Sequence, residues 1–229
     1  MQLDYLGFLR LMQLADSAVP IGATAHSFGL ESLVAEGYLH VEQLEPFLRD
    51  YLEETGALES ASCRLAYRLT SDTSSFETRW LALNDRLSAC KTARESRTAS
   101  ATLGRRFLQL VHNLEALPLV DHALQAAKAS RVDMHASTAF GLVGSLLAVD
   151  ETMTVLAYLQ QSLTGLVSAC QRLLPLGQSR ASGLLWRLKP ALIEVASRSE
   201  DVNALTLFIP LPEAASMRHP ALTTRLFIS

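Results

Sequence analysis

Hydrophobic positions recur in threes and fours along most of this chain, the spacing of helices that bury one face. In the first segment Leu3, Leu6 and Leu9 follow one stripe, with Leu11, Met12 and Leu14 beside it, until Pro20 and Gly22 break the pattern. A second helix is predicted from about Ser27 to Gly37, a residue suited to the left-handed turn that ends helices. Pro46 falls in the first turn of the next helix, where a missing N–H costs little. Leu44, Phe47, Leu48, Tyr51 and Leu52 form its stripe, and Gly56 is expected to end it. Leu58, Ser62, Leu65, Ala66 and Leu69 carry another, and Ser74 or Ser75 is placed to cap one that runs through Cys90.

Residues 91–114 read as one long amphipathic segment with Leu103, Phe107, Leu110, Val111 and Leu114 inward, ended by Pro118. Shorter helices are predicted near 119–130 and 135–149. Residues 151–173 are the most regular. Leu156, Leu163 and Cys170 interleave with Leu159, Leu166 and Leu173, each series at a spacing of seven. About two and a half heptads fall short of a coiled-coil argument, so a buried bundle helix is the expectation. Pro175 and Gly177 interrupt the chain, and one further helix is predicted near 178–197. Beyond about Val202 the period fails. The stretch TLFIPLPEAASMRHPALTTRLFIS holds three prolines, yet it is too apolar for a solvated tail. It either packs back on the body or docks on a partner. The prediction is an all-α, single-domain bundle of about eight to ten helices over residues 1–205, with an irregular, extended C-terminal tail over 206–229.

Composition narrows the function classes. Twenty Lys+Arg stand against 23 Asp+Glu in 229 residues, a net charge of −3, which gives no support for a nucleic-acid binder. Apolar residues make up 49% and charged residues 19%, so disorder is excluded as the overall state. Cys63, Cys90 and Cys170 are odd in number and widely spaced, which is neither a disulfide framework nor a zinc motif. The longest apolar run, AFGLVGSLLAV, is too short to span a bilayer. A soluble, cytoplasmic protein is expected.

The chain carries no P-loop, dinucleotide-binding, HExxH or GxSxG motif, and its histidines are scattered, so catalysis finds no support. His26, His135 and His219 are the best candidates for a direct metal site. Lys91, Arg94, Arg97, Arg105 and Arg106 gather on the long helix with only Glu95 against them. They make either a solvated face or a site for an acidic partner or phosphate. Arg172 is the only charge between Glu151 and Arg180, and must reach solvent or a partner carboxylate. Gly29, at a helix start, would let another backbone approach closely.

Five segments in order resemble the urease accessory protein UreF family. GATAHSFGLES at 22–32 is similar to its N-terminal GxxxxSxGLE signature, and KTARESRTASATLGRRF at 91–107 to its RExR…GxxF helix. MHASTAFGLVG at 134–144 is similar to its HxxxxFG helix start, QRLLPLGQ at 171–178 to its basic-L-x-P-x-GQ turn, and RHPALTTRLFIS at 218–229 to its HExxxSRLFxS terminus. Two departures sit in the last segment, where Pro220 follows His219 and Thr224 replaces the family's Ser.

The resemblance implies an all-α, homodimeric scaffold with no activity of its own. Its partners would be UreD (UreH in some systems), the GTPase UreG and apo-urease. No cofactor would be held stably, and nickel would be handled by the complex during GTP-dependent delivery. The tail would become ordered on UreD. The partner-binding residues it implies are Gly22, His26, Ser27, Gly29, Leu30, Glu31, Arg94, Glu95, Arg97, Arg172, Pro175, Gly177, Gln178, Arg225, Leu226 and Phe227, with Arg172 facing the GTPase. Two alternatives stand beside this reading: a direct nickel-binding metallochaperone, and a UreF-like helical interaction protein that does not act on urease.

Overall fold

The computed structural model describes residues 5–200 and 210–228, and all regular structure among them is helical. The elements are α1 (Tyr5–Leu14), α2 (Leu30–Ala35), α3 (Leu44–Tyr51), α4 (Ala57–Arg68), α5 (Phe76–Cys90), α6 (Arg94–Leu114), α7 (Pro118–Ser130), α8 (Ala136–Leu146), α9 (Glu151–Leu173), α10 (Gln178–Arg187), α11 (Lys189–Arg198) and α12 (Pro210–Arg218). The boundary expected near residue 205 lies outside the described residues.

Helices α4, α6, α8 and α9 form the centre, where Leu58, Cys63, Leu108, Phe140, Leu142, Leu159 and Leu163 are almost completely buried. The closest approach joins α4 to α8. A Cβ on Gly141 would lie 2.0 Å from the Cys63 carbonyl oxygen, so only glycine lets these two backbones meet. On the facing stretch of α4, Ser60, Ala61 and Ser62 are correspondingly small.

Some boundaries differ from the sequence expectation. Gly56 does not end a helix. A π-turn over Leu52–Gly56 carries α3 directly into α4, and Gly56 itself is buried among Leu52 and Val195. Ser75 occupies the cap position of α5 but makes no capping bond. Asp72 instead gathers the Ser74 and Ser75 hydroxyls at 2.6 and 2.7 Å, which hold its carboxyl down at about 2. The helix predicted over 178–197 is two helices meeting at Leu188, because Pro190 cannot donate the bond that would continue the first. Helix α9 is a buried bundle helix with the predicted bounds, its start capped by Asp150, which accepts from Met153 N at 3.0 Å.

Polar groups fix the register of these helices. Arg64, 3% exposed, joins the first turn of α9 to the end of α11. Its guanidinium donates to Glu151 at 2.6 Å and to the Ala196 carbonyl at 2.9 Å. A cation at the carbonyl end of α11 also complements that helix's dipole. The Asn84 side chain supplies the N-terminal cap that α8 lacks locally, accepting from His135 N at 3.0 Å and Thr138 Oγ1 at 2.7 Å.

Lys91 is not part of a solvated basic face. It is buried and paired with Glu59, whose other oxygen accepts from Tyr158 at 3.0 Å. Burial alone would push the Glu59 carboxyl up. Against that largest single effect, the charge and hydrogen bond of Lys91, with smaller contributions from Ser137 and His135, hold it below the ordinary range.

Two glycine substitutions should separate close packing from helix propensity. Gly141→Ala is expected to lower the unfolding free energy by about 2–4 kcal/mol in denaturant titration, because two helix backbones must part. Gly165→Ala on α9 has nothing within 4 Å of the new methyl group and should raise stability by up to about 1 kcal/mol.

Candidate functional site

The C-terminal segment departs from the extended tail that the sequence suggested. Residues Pro210–Arg218 form α12, a short 3-10 turn follows over His219–Ala221, and α12 packs against α2 and α6. Pro212, Ala215, Ser216 and His219 face inward at helical spacing. The helix escaped detection because its inward face is built of small and polar residues, which leave no hydrophobic stripe to read.

Gly29 makes this docking possible. Its φ of 88° lies in the left-handed region, and a Cβ there would stand 2.7 Å from the Pro212 carbonyl oxygen and 2.9 Å from Ser216 Oγ. Ser216 in turn accepts from Ser96 of α6 at 3.0 Å. Glu213 reaches the start of α6, where its carboxylate accepts from the Ala93 N–H at 2.6 Å and from the Thr92 hydroxyl. A negative group is favourable at a helix N-terminus.

Glu31 is the centre of the arrangement. It is 5% exposed and belongs to the first turn of α2. Its carboxylate accepts from Leu226 N at 2.5 Å and Phe227 N at 3.2 Å, and lies 2.8 Å from His219 Nε2. Glu95 of α6 stands 2.8 Å from the opposite ring nitrogen, Nδ1, without hydrogen-bond geometry. Nearby, the Arg172 guanidinium lies 4.1 Å from the centre of the buried Phe227 ring and donates to the Leu226 carbonyl at 3.3 Å. Ile228 N donates to Ala25 O at 2.8 Å, and an exposed pair joins Arg218 to Glu36 at 2.6 Å.

The structure thus brings Gly29, Glu31, Glu95, Arg172, Leu226 and Phe227 together. Leu30 and Ser27 are buried just beneath them. Arg172 reaches the chain's own terminal segment rather than standing alone in solvent. Gly22 and His26 belong to the adjoining loop, where Arg106 donates to the Ile21 carbonyl at 3.2 Å. Burial and the Arg106 charge lower the His26 imidazole below its ordinary value.

Arg97 turns back to donate to the Lys91 carbonyl at 2.8 Å, while Arg94 and Arg225 are exposed. Pro175, Gly177 and Gln178 form the turn between α9 and α10. Gln178 there accepts from Gln171 at 2.6 Å. The sequence marked His219 only as a metal candidate and did not single out Glu213, Ser216 or Ser96. Glu213 and His219 are titratable groups in a stretch whose other charges are Arg218 and Arg225, which is the one signal that marks them.

The three metal candidates do not converge. No group of three or more His, Cys, Asp or Glu side chains among the described residues is arranged to hold a metal. Glu31 and Glu95 approach His219 from opposite ring nitrogens, so no single ion could reach all three at metal–ligand distances of about 2 Å. His135 is a core residue, fully buried between Ser88 Oγ at 2.8 Å and Ser100 Oγ at 3.1 Å. Burial, reinforced by the Lys91 charge, pushes its imidazole down to about 3.

A family model described as UreF matches residues 39–189. A urease accessory protein UreF of Nostoc sp. is 34% identical over 235 residues, covering 97% of this chain and 96% of the relative. The corresponding protein of Lachnoclostridium phytofermentans is 31% identical, covering 96% and 98%. That of Geobacillus kaustophilus is also 31% identical, covering 96% and 97%.

Two outcomes are expected. Glu31→Gln should weaken the charge-assisted bonds, speed amide exchange at Leu226 and Phe227, and cost about 1.5–3 kcal/mol of unfolding free energy. For His135, a depressed folded-state value means that the unfolded chain takes up a proton between its ordinary value of 6.5 and about pH 3 while the folded chain does not. Its contribution is complete above pH 6.5 and falls by about 1.4 kcal/mol per unit as the pH drops. His135→Asn should flatten the stability–pH slope by about that amount between pH 6 and pH 4.

Proposed function

This chain belongs to the UreF family of urease accessory proteins, and from that premise we propose that it is a non-catalytic scaffold for urease maturation. With UreD and the GTPase UreG it assembles on apo-urease and supports GTP-dependent delivery of nickel to the active site. Nickel is the cargo of that assembly rather than a resident cofactor of this chain. The scaffold works as a homodimer in the cytoplasm. No helix among the described residues is long and apolar enough to cross a membrane.

The observation that carries this reading is the convergence of separate motif segments on the docked C-terminal segment. The GLE residues, the RExR helix, the basic residue at the end of α9 and the terminal RLF all meet there. A surface assembled from such distant parts of the chain is one that the body and the tail hold jointly. Its outward side presents Leu211, Met217, Leu226 and Ile228, each about half exposed or more. Apolar residues in that position suit a protein partner better than water. We assign this face to UreD.

The test is co-purification with UreD and UreG. Met217→Asp and Ile228→Asp leave the buried contacts of the segment in place, and each is expected to weaken UreD capture at least about tenfold, the effect of losing a well-buried interface side chain. Wild-type capture by the Asp variants, or failure of the unaltered chain to bind UreD, would overturn the assignment. Nickel titration of the isolated chain addresses the metallochaperone alternative. Weak, non-stoichiometric binding is expected, and a tight one-to-one site would favour direct metal carriage.

A further inference from the structure

A partly open pocket with a volume of about 140 Å³ lies between α6, α9, the Leu52–Gly56 turn and α12. Leu52, Leu103 and Leu159 give it apolar walls, and the buried Glu59–Lys91 pair borders it. That pair is already satisfied, because one Glu59 oxygen accepts from the Lys91 ammonium and the other from the Tyr158 hydroxyl. Thr55 is the exception. It stands one turn before Glu59 on the continuous α3–α4 segment, is 7% exposed and lines the same pocket. Its hydroxyl has no hydrogen-bond partner among the described residues. On the α9 wall Gly165 also lines the pocket. A Cβ there would meet nothing within 4 Å, so the space reaches the helix backbone.

Size, polarity and charge together specify a ligand class. An aliphatic cavity of about 150 Å³ accommodates benzene, so a pocket of this volume holds a molecule of about six to eight heavy atoms. The leucine walls favour an apolar body. A charged ligand is disfavoured. A carboxylate would meet Glu59, an ammonium would meet Lys91, and either would leave water without a free counter-ion. The Thr55 hydroxyl calls for one polar group, because a buried polar atom left unbonded carries a desolvation penalty that a partner relieves. We propose that this pocket binds a small neutral molecule with an apolar body and a single hydroxyl, the class that phenol represents. The body lies among the leucines and the hydroxyl bonds to Thr55. Because the pocket is partly open, such a molecule enters while the helical body stays folded. The site is separate from the outward apolar face assigned to UreD and does not depend on the scaffold role.

Phenol and toluene test the site, since toluene has the same shape and no hydroxyl. The full-length chain is titrated with each while the methyl NMR signals of Leu52, Leu103 and Leu159 are followed. Phenol should shift these signals with a Kd of about 1 mM or tighter. Thr55→Val keeps the shape of the side chain. It should weaken phenol about tenfold, the effect of one lost hydrogen bond, and leave toluene unchanged. Gly165→Leu fills the pocket from α9 and should abolish the binding of both. The site is overturned if phenol at about 10 mM, well above the expected Kd, leaves the three leucines unshifted. It is also overturned if Gly165→Leu, folded by circular dichroism, binds phenol as the unaltered chain does. Equal weakening of phenol and toluene by Thr55→Val would remove the hydroxyl from the recognition and overturn the assigned class.

Discussion

A carboxylate that has left water must find donors, and the Glu31 carboxylate finds them in the last residues of its own chain. Leu226 and Phe227 offer two backbone N–H groups, and the His219 ring closes the third side. The docked segment itself takes this group in the first turn of α2 out of water, so the donors that replace the solvent must come from the segment. The segment in turn needs Glu31, because its inward face of Pro212, Ala215, Ser216 and His219 offers little hydrophobic area of its own. Docking is therefore a mutual requirement, a polar lock on a small apolar contact.

Other features support that lock. Gly29 clears the space in which Pro212 and Ser216 approach, and Glu213 takes up the free donors at the start of α6. Arg172 shields the face of Phe227. The helical body supplies a rigid base for these contacts, since α4 and α8 meet backbone to backbone at Gly141 and the Arg64 and Asn84 networks tie helix ends together. The docked segment, and with it the surface proposed for the partner, thus rests on one buried carboxylate, and the position of that carboxylate depends on the packed body.

Periodicity made most of the helical body legible. The bounds of α9 were readable to the residue, because a sustained stripe begins after a capping Asp150 and stops before Pro175. The break at Leu188 was equally written in Pro190, but the apolar stripe through Leu185, Leu188 and Leu192 concealed it. Helix α12 was hidden for the opposite reason, having a helical face without large apolar residues. The burial of Lys91 could not be read from its own segment, because its partner Glu59 is 32 positions away on another helix. Individual candidate residues stood out in the sequence through their resemblance to family motifs. Their assembly did not, since the Glu31–Phe227 contact spans 196 positions and only the folded chain brings its ends together.

The central claim is that the docked C-terminal segment belongs to the binding-competent surface. A disulfide staple tests it most directly. Ser96 and Ser216 already touch across the α6–α12 contact with their oxygens 3.0 Å apart, so cysteines at both positions should lock the segment in place on oxidation. UreD affinity is then measured for the oxidised and reduced forms of the same protein. The account predicts that the locked form binds UreD at least as tightly as the reduced form. Loss of binding on oxidation, recovered with a reductant, would show that UreD needs the segment released and would contradict it.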